Sequence, residues 1–397
     1  MTSSHPMLPA GPEALATAAC LDRLLQMRRA FACWREPGGP LRFAAARDGS
    51  CQVLRSLREA QGTGFVLAPF ACSDSDPLVF IQEEIGAEGP GPLLDVLQAL
   101  APQASARPEG GSRSQASGQD GLDGLPDGAL NGVLDGALDQ HPSPGYLQAF
   151  ARFHERLRQG AFHKLVLARS QRVPARISAG TAFLRACALY PEAMASLCCT
   201  GPSGAWFGAT PEILLAGEGA RWRTMALAGT KKADDLEPWD EKNIEEQGIV
   251  ARYIQERLAP FCRDIDAEGP RPSRAGAVQH LRTDFSFTLA GGASPADVAE
   301  ALHPTPAVCG VPKEEASRFI QASEGCRRRY YAGFLGPWSG SRGALYVNLR
   351  CMELAQDSVA LYAGGGLLAS SSLEKEWQET CQKMKTALSA ACGRLEG

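Results

Sequence analysis

Hydrophobic positions along the chain follow two periods, one typical of helices and one typical of strands. Apolar residues recur every three or four positions in some stretches, and elsewhere short apolar runs are bounded by Gly, Pro, Asp or Ser. The predicted helices are 13–29, 146–158, 181–189, 240–258, 312–323 and 376–383. The predicted strands are 42–47, 64–70, 78–82, 163–169, 206–215, 225–230, 330–337, 344–354 and 358–368. The pattern therefore predicts a fold that mixes helices and sheets.

The composition changes between residues 102 and 145, where Gly, Asp, Ser and Pro predominate. Such a segment cannot bury enough apolar surface to offset its ordering entropy, so we predict a surface insertion there. Asp–Gly pairs recur in it, but without the strict nine-residue period of calcium-binding repeats. We expect an N-terminal part of the fold over 1–101 and a catalytic part over 146–397, together forming one structural domain.

The overall composition excludes several classes of protein. The 397 residues are 44% hydrophobic, which is enough for a sizeable core, and the net charge of −4 gives no basic surface for nucleic acid. No uncharged apolar run approaches the roughly 20 residues of a membrane span. Thirteen cysteines without a CxxC pair indicate reduced thiols, so we expect a cytoplasmic protein.

The last predicted helix carries candidate chemistry. Glu376, Glu379 and Lys383 stand at i, i+3 and i+7, which places them on one helical face. Just upstream, the glycines at 364–366 would let a backbone approach a ligand closely. These residues could bind an anion and a cation together, or they could form a solvated surface.

Four other charged residues stand in apolar surroundings. Lys164 opens a strand, where it either reaches solvent or is desolvated and able to act as a base. Glu212 follows a proline and precedes an apolar triplet, so burial could raise its pKa. Arg350 lies inside an apolar predicted strand and requires an anion, and Glu246 either faces a ligand or decorates its helix.

Six blocks in this order resemble the chorismate-utilising enzymes, and most closely the isochorismate synthases of dihydroxybenzoate and siderophore synthesis. The blocks are 162–169, 208–215, 226–230, 239–250, 302–312 and 330–383. The most specific matches are the sequences VNLR, LYAGGG and EWQET within the last block. The resemblance implies a large α/β (α+β) fold of two packed β-sheets surrounded by helices, with the active site between the sheets.

The resemblance also implies a Mg²⁺ ion that grips a carboxylate of the substrate chorismate. Glu246 and Glu379 match its ligands, and Glu376 matches a carboxylate that supports the ion through water. Few carboxylates combined with water and substrate oxygens are typical of Mg²⁺.

The implied reaction adds water at C2 of chorismate and removes the C4 hydroxyl. Lys164 matches the base that activates water, and Glu212 matches the acid that protonates the leaving hydroxyl. The positions expected to contact substrate are Gly229, Thr230, His303, Ala307, Arg350, Gly364, Gly365 and Lys383. The product would feed salicylate, siderophore or menaquinone synthesis.

Three alternatives remain open at this stage. A salicylate synthase shares Lys164 and goes on to eliminate pyruvate. An aminating synthase would need ammonia or a glutaminase subunit, and its relatives carry glutamine in place of Lys164. Asn243 and Gln247 stand where the family usually has an acidic residue and a histidine, which raises the third alternative, an inactive chorismate-binding protein.

Overall fold

The computed structural model describes residues 11–102, 138–275 and 278–392. Most of the predicted insertion, residues 103–137, lies outside the described residues. The helices are α1 (Gly11–Gln26), α2 (Pro90–Leu100), α3 (Pro144–Arg158), α4 (Ala179–Leu189), α5 (Glu241–Leu258), α6 (Pro295–Leu302), α7 (Lys313–Ser323) and α8 (Leu373–Ala391).

The strands alternate with these helices along the chain. They are β1 (Phe31–Arg35), β2 (Leu41–Ala45), β3 (Gln52–Leu54), β4 (Gly64–Ala68), β5 (Leu78–Gln82), β6 (Ile85–Glu88), β7 (Lys164–Pro174), β8 (Met194–Thr200), β9 (Gly204–Thr210), β10 (Ile213–Glu218), β11 (Arg221–Lys232), β12 (Cys262–Ala275), β13 (Val278–Leu289), β14 (Gly310–Val311), β15 (Phe334–Trp338), β16 (Arg342–Val347), β17 (Cys351–Leu354) and β18 (Ser358–Leu367). The short edge strand β14 explains how the proline-rich run 302–312 is accommodated.

Within the described ranges these strands form two nine-stranded antiparallel sheets. Sheet 1 has the order β14-β7-β18-β17-β9-β8-β1-β2-β6, and sheet 2 has the order β12-β13-β11-β10-β16-β15-β4-β5-β3. Alternate residues of a strand bury opposite faces, as the period of two requires. In β1, Ala32 and Trp34 join the core between the sheets, whereas Phe31 and Cys33 pack on the other side against α1 and α4. The predicted architecture of two packed sheets with surrounding helices is confirmed.

Helix α5 begins at a cap that its sequence specifies. The side chain of Asp240 accepts a hydrogen bond from the Asn243 N–H at 2.8 Å, which satisfies one of the free amides of the first turn. Val250 and Ile254 are buried, but Ile244 is 54% exposed. At about 100° per residue, Ile244 lies about 120° around the helix from Val250 and therefore faces away from the core.

Two predicted strands are each broken where the chain passes from one sheet to the other. The run 206–215 divides into β9 of sheet 1 and β10 of sheet 2, with Pro211 and Glu212 between them. The run 344–354 divides into β16 of sheet 2 and β17 of sheet 1, with Arg350 at the break in a left-handed conformation (φ +51°). The prediction of continuous strands was wrong because the apolar pattern continues through both breaks.

The two crossings are hydrogen-bonded to each other. The Val347 N–H donates to the Glu212 carbonyl at 2.9 Å, and the Thr210 hydroxyl donates to the Val347 carbonyl at 2.7 Å. The Ala209 N–H donates to the Arg350 carbonyl at 3.3 Å. The backbones that carry Glu212 and Arg350 are therefore fixed together where the two sheets exchange strands.

In the part of the chain that the structure describes, no helix combines the length and apolarity that crossing a membrane requires.

Candidate active site

A cavity of about 70 Å³ opens between the sheets beside the two crossings. Its walls come from both sheets and from α5 and α8. Nine of the candidate site residues line it: Glu212, Gly229, Thr230, Glu246, Ala307, Arg350, Gly364, Glu379 and Lys383. Segments more than 150 residues apart in sequence thus supply the walls of one cavity, as the resemblance implied.

Glu212 is a buried carboxyl at the edge of this cavity, with 3% of its surface exposed. Burial raises its pKa to about 8, although the positive charges of Lys164 and Lys383 oppose the shift. At neutral pH the carboxyl therefore retains its proton. A buried acid that is protonated at neutral pH is suited to donate that proton to a leaving group.

Lys164 opens β7 and has no exposed surface. Its backbone pairs with Val311 of the edge strand β14, and its Nζ lies 2.8 Å from Oε1 of Glu246. The interpretation in which the Lys164 side chain reaches solvent is therefore excluded. Lys164 is instead a desolvated amine held next to a carboxylate.

Two further lysines pair with the carboxylates of α8. Lys242 on α5 lies 2.7 Å from Glu376, and Glu376 in turn raises the pKa of Lys242 despite the opposing effect of burial. The Nζ of Lys383 contacts Oε1 of Glu379 at 2.6 Å and donates to the Gly364 carbonyl at 2.8 Å. Burial raises the pKa of Glu379, but the charge and hydrogen bond of Lys383, together with the charge of Lys242, lower it overall. Each carboxylate proposed to bind metal thus has an ammonium partner.

The glycines of β18 make room for these carboxylates. A Cβ at Gly366 would stand 2.0 Å from Oε1 of Glu246 and 2.9 Å from Cε of Lys164. A Cβ at Gly365 would stand 2.9 Å from Oε2 of Glu376. The glycine run therefore serves the carboxylates directly, by letting their oxygens approach the strand backbone.

The donor chemistry of this cluster fits a hard divalent cation. Oε2 of Glu376 is buried and lacks a hydrogen-bond partner in the structure, and burial raises the pKa of this carboxyl against the charge of Lys242. Mg²⁺ prefers such carboxylate oxygens. Within the described ranges, no three acidic, histidine or cysteine side chains stand close enough together to enclose a metal ion. The residue types are therefore those that Mg²⁺ prefers, but in this arrangement each carboxylate is paired with a lysine and the three do not converge on one point.

His280 of β13 lines the cavity and was not anticipated from the sequence. Burial, reinforced by the charge of Arg350, lowers its pKa to about 3, so the ring is neutral. Nδ1 lies 2.8 Å from the Gly229 carbonyl, which can only accept, so Nδ1 carries the proton. Nε2 then accepts from Nη2 of Arg350 at 3.4 Å. The only signal in the sequence was a single histidine in a strand-like run, which is not specific.

The two amides that depart from the family pattern connect α5 to sheet 2. Oδ1 of Asn243 accepts from the Thr230 N–H at 3.0 Å. Nε2 of Gln247 donates to the Ala226 carbonyl at 3.2 Å and to the Thr283 hydroxyl at 3.1 Å. Both side chains therefore fix α5 against β11 and β13, and neither adds a charge to the cavity.

Four candidate residues do not line the cavity itself. Lys164, Gly365 and Glu376 stand behind its wall, within the lysine–carboxylate cluster. His303 lies elsewhere: its Nε2 is 3.2 Å from the Pro69 carbonyl, and its ring packs edge-on against Phe334. Burial lowers the pKa of His303 to about 4, so it is a neutral packing residue here.

Comparisons with known proteins place the chain in a family. Residues 134–392 match the family model for chorismate binding enzymes. Isochorismate synthase DhbC of Bacillus subtilis is 33% identical over 205 residues, which cover 48% of this chain and 51% of that protein. The putative isochorismate synthase MenF of Mycobacterium tuberculosis is 34% identical over 275 residues, which cover 63% of this chain and 73% of the relative. The chain thus spans between half and three-quarters of these relatives.

A solved structure shares the fold across nearly the whole chain. The menaquinone-specific isochorismate synthase MenF from Escherichia coli superposes with a TM-score of 0.73 at 22% identity. The superposition covers 94% of this chain and 91% of that one. At 22% identity, the similarity between the two structures shows a shared fold and nothing further.

Proposed function

The chain belongs to the family of chorismate-binding enzymes, and from this premise we propose that it is an isochorismate synthase. The proposed isomerisation adds the oxygen of water to C2 of chorismate, moves the ring double bonds and expels the C4 hydroxyl, which leaves as water after it gains a proton. The reaction therefore needs one group that takes a proton from water and one that delivers a proton. Atoms balance, because one water enters and one leaves.

The observation that carries the proposal is a protonated acid at the cavity, Glu212, together with a fully buried lysine behind the cavity wall, Lys164. Glu212 retains its proton at neutral pH because burial raises its pKa to about 8. Its pKa also responds to the charge of Lys164, so the two groups are electrostatically coupled. We assign Glu212 to protonate the leaving hydroxyl and Lys164 to accept the proton of the attacking water.

Lys164 must be neutral to accept that proton. Its side chain is fully buried, and its Nζ lies 2.8 Å from Oε1 of Glu246. The proposed base is therefore in direct contact with one of the proposed metal ligands.

Two cationic residues of the cavity lining, Arg350 and Lys383, are suited to hold the carboxylates of chorismate. Nη1 of Arg350 is buried and has no hydrogen-bond partner within the described residues. Lys383 already contacts the Gly364 carbonyl, so it presents its ammonium at the cavity wall. We assign both to substrate carboxylates, with the bulge at Gly229 and Thr230 bordering the ring.

We further assign Glu246, Glu379 and Glu376 to hold Mg²⁺. When bound, the ion would anchor and polarise a substrate carboxylate. The assignment is supported by the glycine cradle at Gly365 and Gly366 and by the unpartnered buried oxygen of Glu376.

One experiment distinguishes this reaction from its relatives. Purified protein is incubated with chorismate and Mg²⁺, with and without ammonium, and the products are separated by chromatography. We expect isochorismate in both arms. Pyruvate formed in proportion to chorismate consumed, without an added lyase, would identify a salicylate synthase and overturn the proposal.

The same experiment addresses the other two rivals. Anthranilate or aminodeoxychorismate formed only with ammonium would identify an aminating synthase. Unchanged chorismate in every arm, together with binding detected by calorimetry, would identify an inactive binding protein. Because Asn243 and Gln247 serve as hydrogen-bond partners of the sheet, we do not expect their departure from the family pattern to abolish turnover.

A further inference from the structure

A second cavity of about 510 Å³ lies next to the catalytic one and shares a wall with it. The shared residues are Pro211 and Arg350, which belong to the two crossings between the sheets. The remaining walls come from the end of α4 and the loop after it, from β9 and β12, and from α8. Ligand-binding cavities typically enclose about 300–1,000 Å³, so this one is large enough for a ring-containing molecule.

The lining of this second cavity is apolar with a cationic side. Tyr190, Pro191 and Ala193 provide apolar surface, and Ala387 adds to it from α8. Such walls suit an aromatic ring, which buries a large apolar area with few rotatable bonds. The polar residues are fewer, and Arg350 is one of them.

Arg350 has a hydrogen-bond donor left without an acceptor. Its Nη1 is buried and has no hydrogen-bond partner among the described residues, and the carboxylate whose charge acts on it is Glu379 of the catalytic cavity. Arg274 and Glu192 line the second cavity with exposed side chains. A buried N–H without an acceptor favours a ligand that brings one, and a carboxylate matches a guanidinium in geometry and charge.

We propose that this cavity is a separate binding site for a small aromatic carboxylate, whose carboxylate pairs with Arg350. Arg350 lines both cavities, so an anion bound to it here reduces its attraction for an anion in the catalytic cavity. Aromatic carboxylates made further along a route from chorismate would then inhibit the enzyme from this site.

The test uses benzoate as the probe and measures binding by calorimetry without substrate, so it does not depend on the proposed reaction. Thr386 lines the cavity from α8 and is only partly buried, so Thr386→Phe fills the space without entering the core. Thr386→Val is the matched control, since it removes the hydroxyl and leaves the volume unchanged. Leu189→Trp narrows the cavity from the opposite wall at a side chain that is 52% exposed.

We expect benzoate to bind the wild type and Thr386→Val with a dissociation constant of about 1 mM or below. Binding to Thr386→Phe and to Leu189→Trp should weaken by about tenfold or more, with thermal melting confirming that both are folded. Benzamide, which has the same shape without the charge, should bind at least about tenfold more weakly than benzoate.

Three results would each overturn the proposal. Absence of benzoate binding to the wild type would show that the cavity is not a binding site. Benzamide binding as tightly as benzoate would show that Arg350 does not pair with the carboxylate. Wild-type affinity in both filled variants would place the probe elsewhere. If Thr386→Phe raises the KM for chorismate several-fold without benzoate, the cavity is part of the substrate site and is not a separate one.

Discussion

At the scale of single residues, Glu212 is the group whose chemistry can be tested most directly. Replacing it by glutamine exchanges one neutral group for another at neutral pH, because the carboxyl is protonated below about pH 8. We expect kcat to fall by about 10²- to 10⁴-fold, the usual contribution of a positioned acid, with an unchanged melting temperature. Glu218→Gln, at an exposed position of β10, is the matched control and should retain full activity.

The same carboxyl predicts how activity depends on pH. The acid form of Glu212 is required, and its pKa is raised to about 8 by burial. The active form therefore predominates below pH 8, and turnover should fall as pH rises through about 8. A kcat profile from pH 6 to 10 measures this. A profile that stays flat up to pH 10 would show that Glu212 is not the acid.

Lys164 should affect both activity and stability. Lys164→Ala removes the proposed base and leaves Glu246 inside the fold without its partner at 2.8 Å. We expect loss of turnover and a decrease in the free energy of unfolding on the order of 3 kcal/mol. Adding Glu246→Gln should restore part of the stability and none of the activity. Lys232→Ala, on the exposed end of β11, serves as the control.

The sequence predicted the roles of some site residues and not of others. Glu212 stood out because a carboxylate between a proline and an apolar triplet is unusual. His280 did not, since its role depends on the Gly229 carbonyl and the Arg350 guanidinium, which are 51 and 70 residues away in sequence. Conversely, His303 belongs to a block that resembles the family, but its ring packs against Phe334.

At the scale of elements, the strands could be predicted from the sequence, but the breaks that carry Glu212 and Arg350 could not. The sequence pattern located strand β5 at its observed bounds, Leu78–Gln82, because polar residues flank a short apolar run. It missed the breaks at Pro211–Glu212 and at Arg350, since apolar residues continue on both sides while the chain changes sheet. Which sheet a strand joins depends on long-range pairing that no local period encodes.

The glycine run of β18 allows an element-scale prediction. Gly366→Ala would place a Cβ 2.0 Å from Oε1 of Glu246, a distance that forces this carboxylate to move. We expect weaker Mg²⁺ binding in calorimetry, by about tenfold or more, and a matching loss of activity. Gly201→Ala is the control, because nothing lies within 4 Å of its added Cβ. An unchanged Mg²⁺ affinity in Gly366→Ala would show that Glu246 is not a ligand of the ion.

At the scale of the whole molecule, two lysine–carboxylate pairs join elements from different parts of the chain, and a third, Lys383–Glu379, lies within α8. Lys164 of β7 pairs with Glu246 of α5, and Lys242 of α5 pairs with Glu376 of α8. Local periodicity could assign each residue to a helix or a strand, but their convergence depends on the two-sheet fold. It became foreseeable only through the resemblance of six ordered blocks to one family.

This convergence predicts that Mg²⁺ stabilises the fold. A ligand that binds only the folded state contributes about 2.7 kcal/mol at 100 times its dissociation constant. Because α5 and α8 would both contribute ligands, we expect the melting temperature to rise by several degrees when Mg²⁺ is added at constant ionic strength. The Glu379→Gln variant should lose most of this rise, whereas the Glu218→Gln control should keep it. Equal rises in the wild type and Glu379→Gln would mean that the ion binds elsewhere on the protein.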